Sequence, residues 1–228
     1  MENTVKKENR FDTKRLTVIA MFIALGYVCL FMFRFKVQFL TLEFKDVFIT
    51  MSAFVYGPFT GVMVALTEAL LELFTLSDTG IYGFIMNFAG SASLAFFAGL
   101  IYKKKKDIFG AVLGLILGVI TMTVVMIFMN ILITPYYMKC DASVVYGLVP
   151  SLLLPFNLIK GSLNAALTLL LYKPITSAMR SVHILAASHH DFKFDKKTVM
   201  VSVMALILAF LSIAVLFVYL KANLSWGR

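Results

Sequence analysis

Val47-Phe48-Ile49-Thr50-Met51-Ser52-Ala53-Phe54-Val55-Tyr56-Gly57-Pro58-Phe59-Thr60-Gly61 opens an apolar stretch that runs on to Thr75. Whether it is one helix or two sets the topology of everything that follows. Read as one kinked helix, it places the run Lys103-Lys104-Lys105-Lys106 on the opposite side of a bilayer from the basic N-terminus. Read as two short helices turning at Gly57-Pro58-Phe59-Thr60, it places both on the same side. Basic residues collect on one side of a membrane protein, and Gly with Pro makes a good turn, so the second reading is favoured. The first of the two helices is then short for a hydrocarbon core of about 30 Å and must begin within residues 34–46.

That a bilayer is the right frame follows from composition. The 228 residues are 61% hydrophobic and only 14% charged, against roughly 25% charged in a soluble domain. Mean hydropathy is +0.90. The apolar runs have helical length and lack the alternation of barrel strands, so helices are the spanning elements. Beyond residues 47–75, spans are expected over residues 16–33, 83–102, 108–133, 150–172 and 198–220. A polar segment covers 173–197. The N-terminal basic cluster followed by an apolar run resembles a signal peptide. The run is long for one, however, and no small-x-small cleavage site follows it.

The net charge of +9 does not point to nucleic acid, because the lysines and arginines sit at span ends. Cys29 and Cys140 form neither a disulfide framework nor a metal pattern. His183, His189 and His190 fall in the polar segment outside the spans.

Lys160 lies near the middle of the 150–172 span, in Pro155-Phe156-Asn157-Leu158-Ile159-Lys160-Gly161. A lysine at a membrane helix centre costs about 2.5–3.5 kcal/mol on insertion scales. It is therefore expected to face protein, a cavity or a ligand. Asn157, Lys160 and Asn164 are spaced i, i+3, i+7 and share one helix face. Asn87 and Asn130 are placed on the same half of the bilayer from two other spans. Several amides and one ammonium suit a neutral, hydrogen-bonding heterocycle; amide pairs between helices are the plainer alternative.

Glu68 and Glu72 are i, i+4 on the third span. They are candidates to pair with Lys160, bind a cation or relay protons, and Glu72 is close enough to the span end to be wet. Ala20-x-x-x-Ala24 gives a flat strip for close helix approach. Gly110, Gly114 and Gly118, and likewise Ser91, Ala95 and Gly99, form ridges expected to serve internal packing. There is no Walker A sequence, no His-Glu-x-x-His and no G-x-S-x-G.

Taken together, Ala20 and Ala24, Leu42-Glu43-Phe44-Lys45-Asp46, Gly57-Pro58-Phe59-Thr60-Gly61, Met86-Asn87-Phe88, Asn130 with Pro135-Tyr136, and Pro155 through Gly161 resemble the substrate-binding S component of energy-coupling-factor (ECF) vitamin transporters. The riboflavin-type members are the nearest in pattern, and the resemblance covers about residues 14–173. It implies a six-helix membrane protein that captures a vitamin from outside. It also implies docking through the first-helix alanines, Ala20 and Ala24, on a transmembrane coupling subunit joined to two cytoplasmic ATPases. By motif it makes Asn130, Asn157 and Lys160 ligand contacts, with Glu43 and Asn87 as further candidates and residues 42–46 closing over the site.

The expected fold class is thus an all-α integral membrane protein, a six-helix S-component-like bundle plus a seventh, C-terminal transmembrane helix. Residues 1–15 form a basic cytoplasmic N-terminus, 16–173 the substrate-binding membrane domain, 174–197 a polar linker, and 198–228 the added helix and tail. The expected role is non-enzymatic: vitamin capture in a bacterial cell membrane, with riboflavin or a related flavin as transported ligand, lipid as surroundings, and no cofactor, metal or nucleic acid. Three alternatives remain. One is an S component for a different vitamin or heterocycle. Another is a stand-alone secondary transporter coupled through Glu68, Glu72 and Lys160. The third is an intramembrane enzyme using Glu68 and Glu72 as acid and base, which the lack of any histidine in a span disfavours.

Overall fold

The computed structural model describes residues 13–181 and 196–218. The polar segment's three histidines and most of the basic N-terminus lie outside the described residues. The chain is a helical bundle in which α1 spans Thr13–Met32, α2 Lys45–Tyr56, α3 Pro58–Thr75, α4 Gly80–Lys104 and α5 Ile108–Met138. A short α6, Ala142–Leu148, passes through a π-helical turn, Val149–Leu153, into α7, Leu154–Ser181, and α8 covers Lys196–Val218. Helices α1, α2, α3, α4, α5 and α7 make the six-helix bundle, and α8 is the seventh.

The stretch 47–75 is two helices. Gly57 takes φ +100°, a conformation that L side chains rarely adopt, and Pro58 opens α3 at a position where its missing N–H costs nothing. Lys45 at the start of α2 pairs with Glu72 near the end of α3, which shows that the two helices run antiparallel. The N-terminal end of α1 joins the same turn: Arg15 donates to the Thr60 hydroxyl at 3.1 Å and stacks over Tyr56. One end of the bundle therefore gathers Arg15, the Gly57 turn and the four-lysine run.

Packing follows the small residues. A Cβ on Gly114 or Gly118 would run into the backbone carbonyls of Ala98 and Leu94, so α4 and α5 approach closely there. α2 is the bundle's centre, with Lys45 through Phe54 all buried, and it touches α1, α3, α4 and α7. α1 buries a single stripe, Val18, Phe22, Gly26 and Leu30.

The segment from Arg34 to Asp46, read only as mixed, contains a two-stranded antiparallel hairpin. β1 (Arg34–Val37) pairs with β2 (Leu40–Glu43), Arg34 opposite Glu43 and Lys36 opposite Thr41. Two helices also outrun their expected ends. α5 passes through Pro135 to Met138, because buried Thr134 keeps that turn against the bundle. α7 passes through Pro174 to Ser181, so the start of the expected linker is helical. Burial of Tyr172, Thr176 and Met179 outweighs the lost hydrogen bond at the proline.

Candidate ligand-binding site

The hairpin brings a dense set of charges to the end of the bundle opposite the lysine run. On β2, Glu43 points inward and is fully buried. Lys160 of α7 donates to its Oε1 at 2.9 Å and to the Thr41 carbonyl at 3.4 Å. Lys45 of α2 lies 3.2 Å from the same carboxylate oxygen and donates to Glu72 of α3. Asn87 of α4 donates to the other oxygen of Glu72 at 2.8 Å. Asp46 accepts from the Ser91 hydroxyl, and Asn164 donates to the Glu43 backbone carbonyl at 3.0 Å. The lysine with its flanking asparagine thus clamps the strand. Two cations thus meet one oxygen of the Glu43 carboxylate, which offsets the cost of burying its charge.

The outer part of the hairpin is tied to the loop between α3 and α4. Arg34 donates to the Leu76 carbonyl and stands 3.8 Å from Glu72. Lys36 and Asp78 are 2.7 Å apart, and hydrogen bonding from Lys36 lowers the Asp78 carboxyl below its ordinary range.

Between hairpin, α3–α4 loop, α4, α5 and α7 lies a cavity of about 240 Å³. Its apolar lining includes Phe39, Met86, Met126 and Phe156; its polar lining includes Gln38, Thr41, Asn87, Asn157 and Lys160. The charges around it are largely paired: Lys160 with Glu43, Lys45 with Glu43 and Glu72, and half-buried Arg34 with Glu72 and Asp78. A charged ligand would unbalance this set, whereas a neutral one bearing carbonyls and ring nitrogens finds donors already held in place.

Of the residues singled out in the sequence, Asn87, Asn157 and Lys160 line the cavity. Glu43 stands one residue behind, as the partner of Lys160. Asn130 is bonded within its own helix. Fully buried, it donates to the Met126 carbonyl at 2.7 Å and accepts from Thr134 at 3.0 Å, both within α5, and it is not part of the lining. Residues 38–41 border the cavity, while of residues 42–46 only Asp46 reaches a small adjoining recess. Glu68 does not approach Lys160: it is buried against Gly26 of α1, and neither of its oxygens has a partner among the described residues. Ala20 and Ala24 are exposed on α1, on the side away from its buried stripe.

Sequence reasoning missed the roles of Arg34, Lys45 and Asp78. Charges clustered just before a span were the available signal, and helix periodicity cannot pair residues on a hairpin.

Comparison with known proteins agrees with this architecture. The sequence model of the family described as "ECF transporter, substrate-specific component" matches residues 14–172. The riboflavin transporter RibU of Staphylococcus aureus (strain TCH60) is 32% identical over 191 residues, covering 79% of this chain and 100% of that protein. The riboflavin transporter FmnP of Bacillus subtilis (strain 168) is 28% identical over 186 residues, covering 75% and 98%. A solved structure titled "Structure and mechanism of the S component of a bacterial ECF transporter" superposes with a TM-score of 0.62 at 32% identity, covering 74% of this chain and 98% of that one. With a six-helix bundle and a family match spanning most of its length, the chain belongs to the substrate-specific components of ECF transporters.

Proposed function

We propose that this membrane protein captures riboflavin, or a closely related flavin, for an ATP-driven ECF importer, and that it is not itself an enzyme. The observation that carries the reading is the charge-balanced cavity: apolar walls for a flat ring system, with amides and a pre-paired lysine for its carbonyl edge. Lys160 and Asn157 donate to ring carbonyls, Asn87 serves a second polar edge, and Glu43 acts by holding Lys160. Likeness to riboflavin transporters supports the choice of ligand. The exposed Ala20 and Ala24 are the docking strip for the transmembrane coupling subunit, which joins two cytoplasmic ATPases. The lysine-rich end, with the N-terminus, faces the cytoplasm of a bacterial cell, and the hairpin faces outside.

Purification tests this directly. The protein is expected to carry a yellow flavin spectrum that is released on denaturation. Lys160→Ala is expected to weaken flavin binding by about 10- to 100-fold, the loss of a charge-assisted hydrogen bond. Colourless protein that binds no added riboflavin, or Lys160→Ala with wild-type affinity, overturns the assignment.

A further inference from the structure

α8 lies beyond the residues matched by the family model, which end at 172. It packs along α7, and α5 packs on the same helix. Between α5 and α8 the floor is made of small residues of α7, Ser162, Ala165 and Ala166, and the walls include Ile116 and Ile120 of α5 and Leu208 of α8. The result is an apolar groove of about 640 Å³, open to the surroundings of the bundle.

One end of the groove is marked by Val112, Leu169 and Val201. Val112 stands about one turn into α5, Leu169 about one turn before Lys173 within α7, and Val201 just over one turn into α8. Val112 follows the run Lys103 to Lys106, Leu169 precedes Lys173, and Val201 follows Lys196 and Lys197. From Val112 to Ile120 the groove rises about 12 Å, close to the roughly 15 Å of a single leaflet's hydrocarbon. The basic end holds more charge than it neutralises. The four lysines and Asp107 ring one shallow depression. Lys105 is engaged by Asp107 at 3.7 Å and by the Phe109 ring at 4.4 Å, while Lys103, Lys104 and Lys106 have no acid partner among the described residues.

We propose that this groove holds one acyl chain of an anionic phospholipid, with the headgroup on the lysine run, so that α8 builds a lipid site onto the transport bundle. The apolar length selects a chain of one leaflet, and the uncompensated lysines select the negative headgroup. A zwitterionic lipid satisfies the first requirement and not the second. Each lysine near an anionic surface contributes enough that three together favour the anionic lipid by about tenfold or more.

The test uses the full chain in mild detergent with dioleoyl phosphatidylglycerol, dioleoyl phosphatidylcholine and glycerol 1-phosphate as probes, read by thermal melting and native mass spectrometry. Phosphatidylglycerol is expected to stay bound and to raise the melting temperature at about tenfold lower concentration than phosphatidylcholine. Ile116→Trp, which fills the groove from an exposed position, is expected to remove that preference. So is replacement of Lys103, Lys104, Lys105 and Lys106 by glutamine. Equal action of the two lipids overturns the proposal, as does glycerol 1-phosphate matching the lipid, or Ile116→Trp retaining the full preference. The wild-type comparison decides the matter even where a variant does not fold, and none of these readouts depends on which vitamin the cavity takes.

Discussion

Glu68 and Glu72 stand one helical turn apart on α3 and meet opposite surroundings. Glu72 is answered from three elements, by Lys45 of α2, Asn87 of α4 and Arg34 of the hairpin. Glu68 is equally buried and has no partner among the described residues, with its carboxyl lying on Gly26 of α1. One carboxylate is wired into the hairpin end of the molecule, and the other lies in the seam between α1 and α3. Spacing alone assigns both to one function. The structure separates them by which helices they face.

The largest break in this contrast comes from removing the shared cation. Lys45→Ala leaves Glu43 and Glu72 buried with less compensation and is expected to destabilise the protein by about 3–5 kcal/mol, measured by thermal or denaturant unfolding of the purified protein. Should it unfold like wild type, the network is not what holds the hairpin. Next come the two isosteric changes side by side. Glu72→Gln forfeits its ion pair and is expected to cost about 3 kcal/mol, whereas Glu68→Gln has no pair to lose and is expected to stay within about 1 kcal/mol of wild type. Equal losses would mean that Glu68 has a partner after all.

A finer test concerns the seam itself. Gly26→Ala places a Cβ on the Glu68 carboxyl and is expected to cost about 1–3 kcal/mol by overpacking. Most of that loss should return in the double variant with Glu68→Ala, and purely additive losses in the unfolding cycle would show that the two residues do not touch. The smallest effect lies at the mouth. Because Lys36 lowers the Asp78 carboxyl, their pairing contributes above the ordinary carboxylate range and fades as pH falls through the lowered value. Hairpin amide protection, taken relative to the intrinsic exchange rate at each pH, is expected to fall as the medium is made acidic, and Asp78→Asn should remove that acid dependence.

Several of these features were legible in the sequence. Gly57-Pro58 is a turn because the chain needs a positive φ followed by a residue that starts a helix without its N–H. The face shared by Asn157, Lys160 and Asn164 is real because α7 is regular through them. The hairpin was not legible: its strands have four residues each, and its turn uses Gln38 at φ +55° where Gly or Asn would have signalled it. Asn130 was placed in the site by its depth and by the motif it shares with Pro135-Tyr136, whereas the structure bonds it within α5. Depth follows from sequence position, but the rotation of α5 about its axis is set by packing, here by Gly114 and Gly118 against α4.

α2 is both the most enclosed helix and, at 12 residues, well short of its neighbours. It rises about 18 Å, leaving about 12 Å of a 30 Å core without a central rod. Lipid never meets that shortfall, because α1, α3, α4 and α7 surround the helix. What the shortfall makes is room, filled by a hairpin whose non-helical backbone is tolerable at that depth only because protein encloses it. The dimension of the cavity along the membrane normal is therefore written in the number of turns α2 lacks, and one added turn, about 5.4 Å, would close much of it without touching a single side chain of its lining.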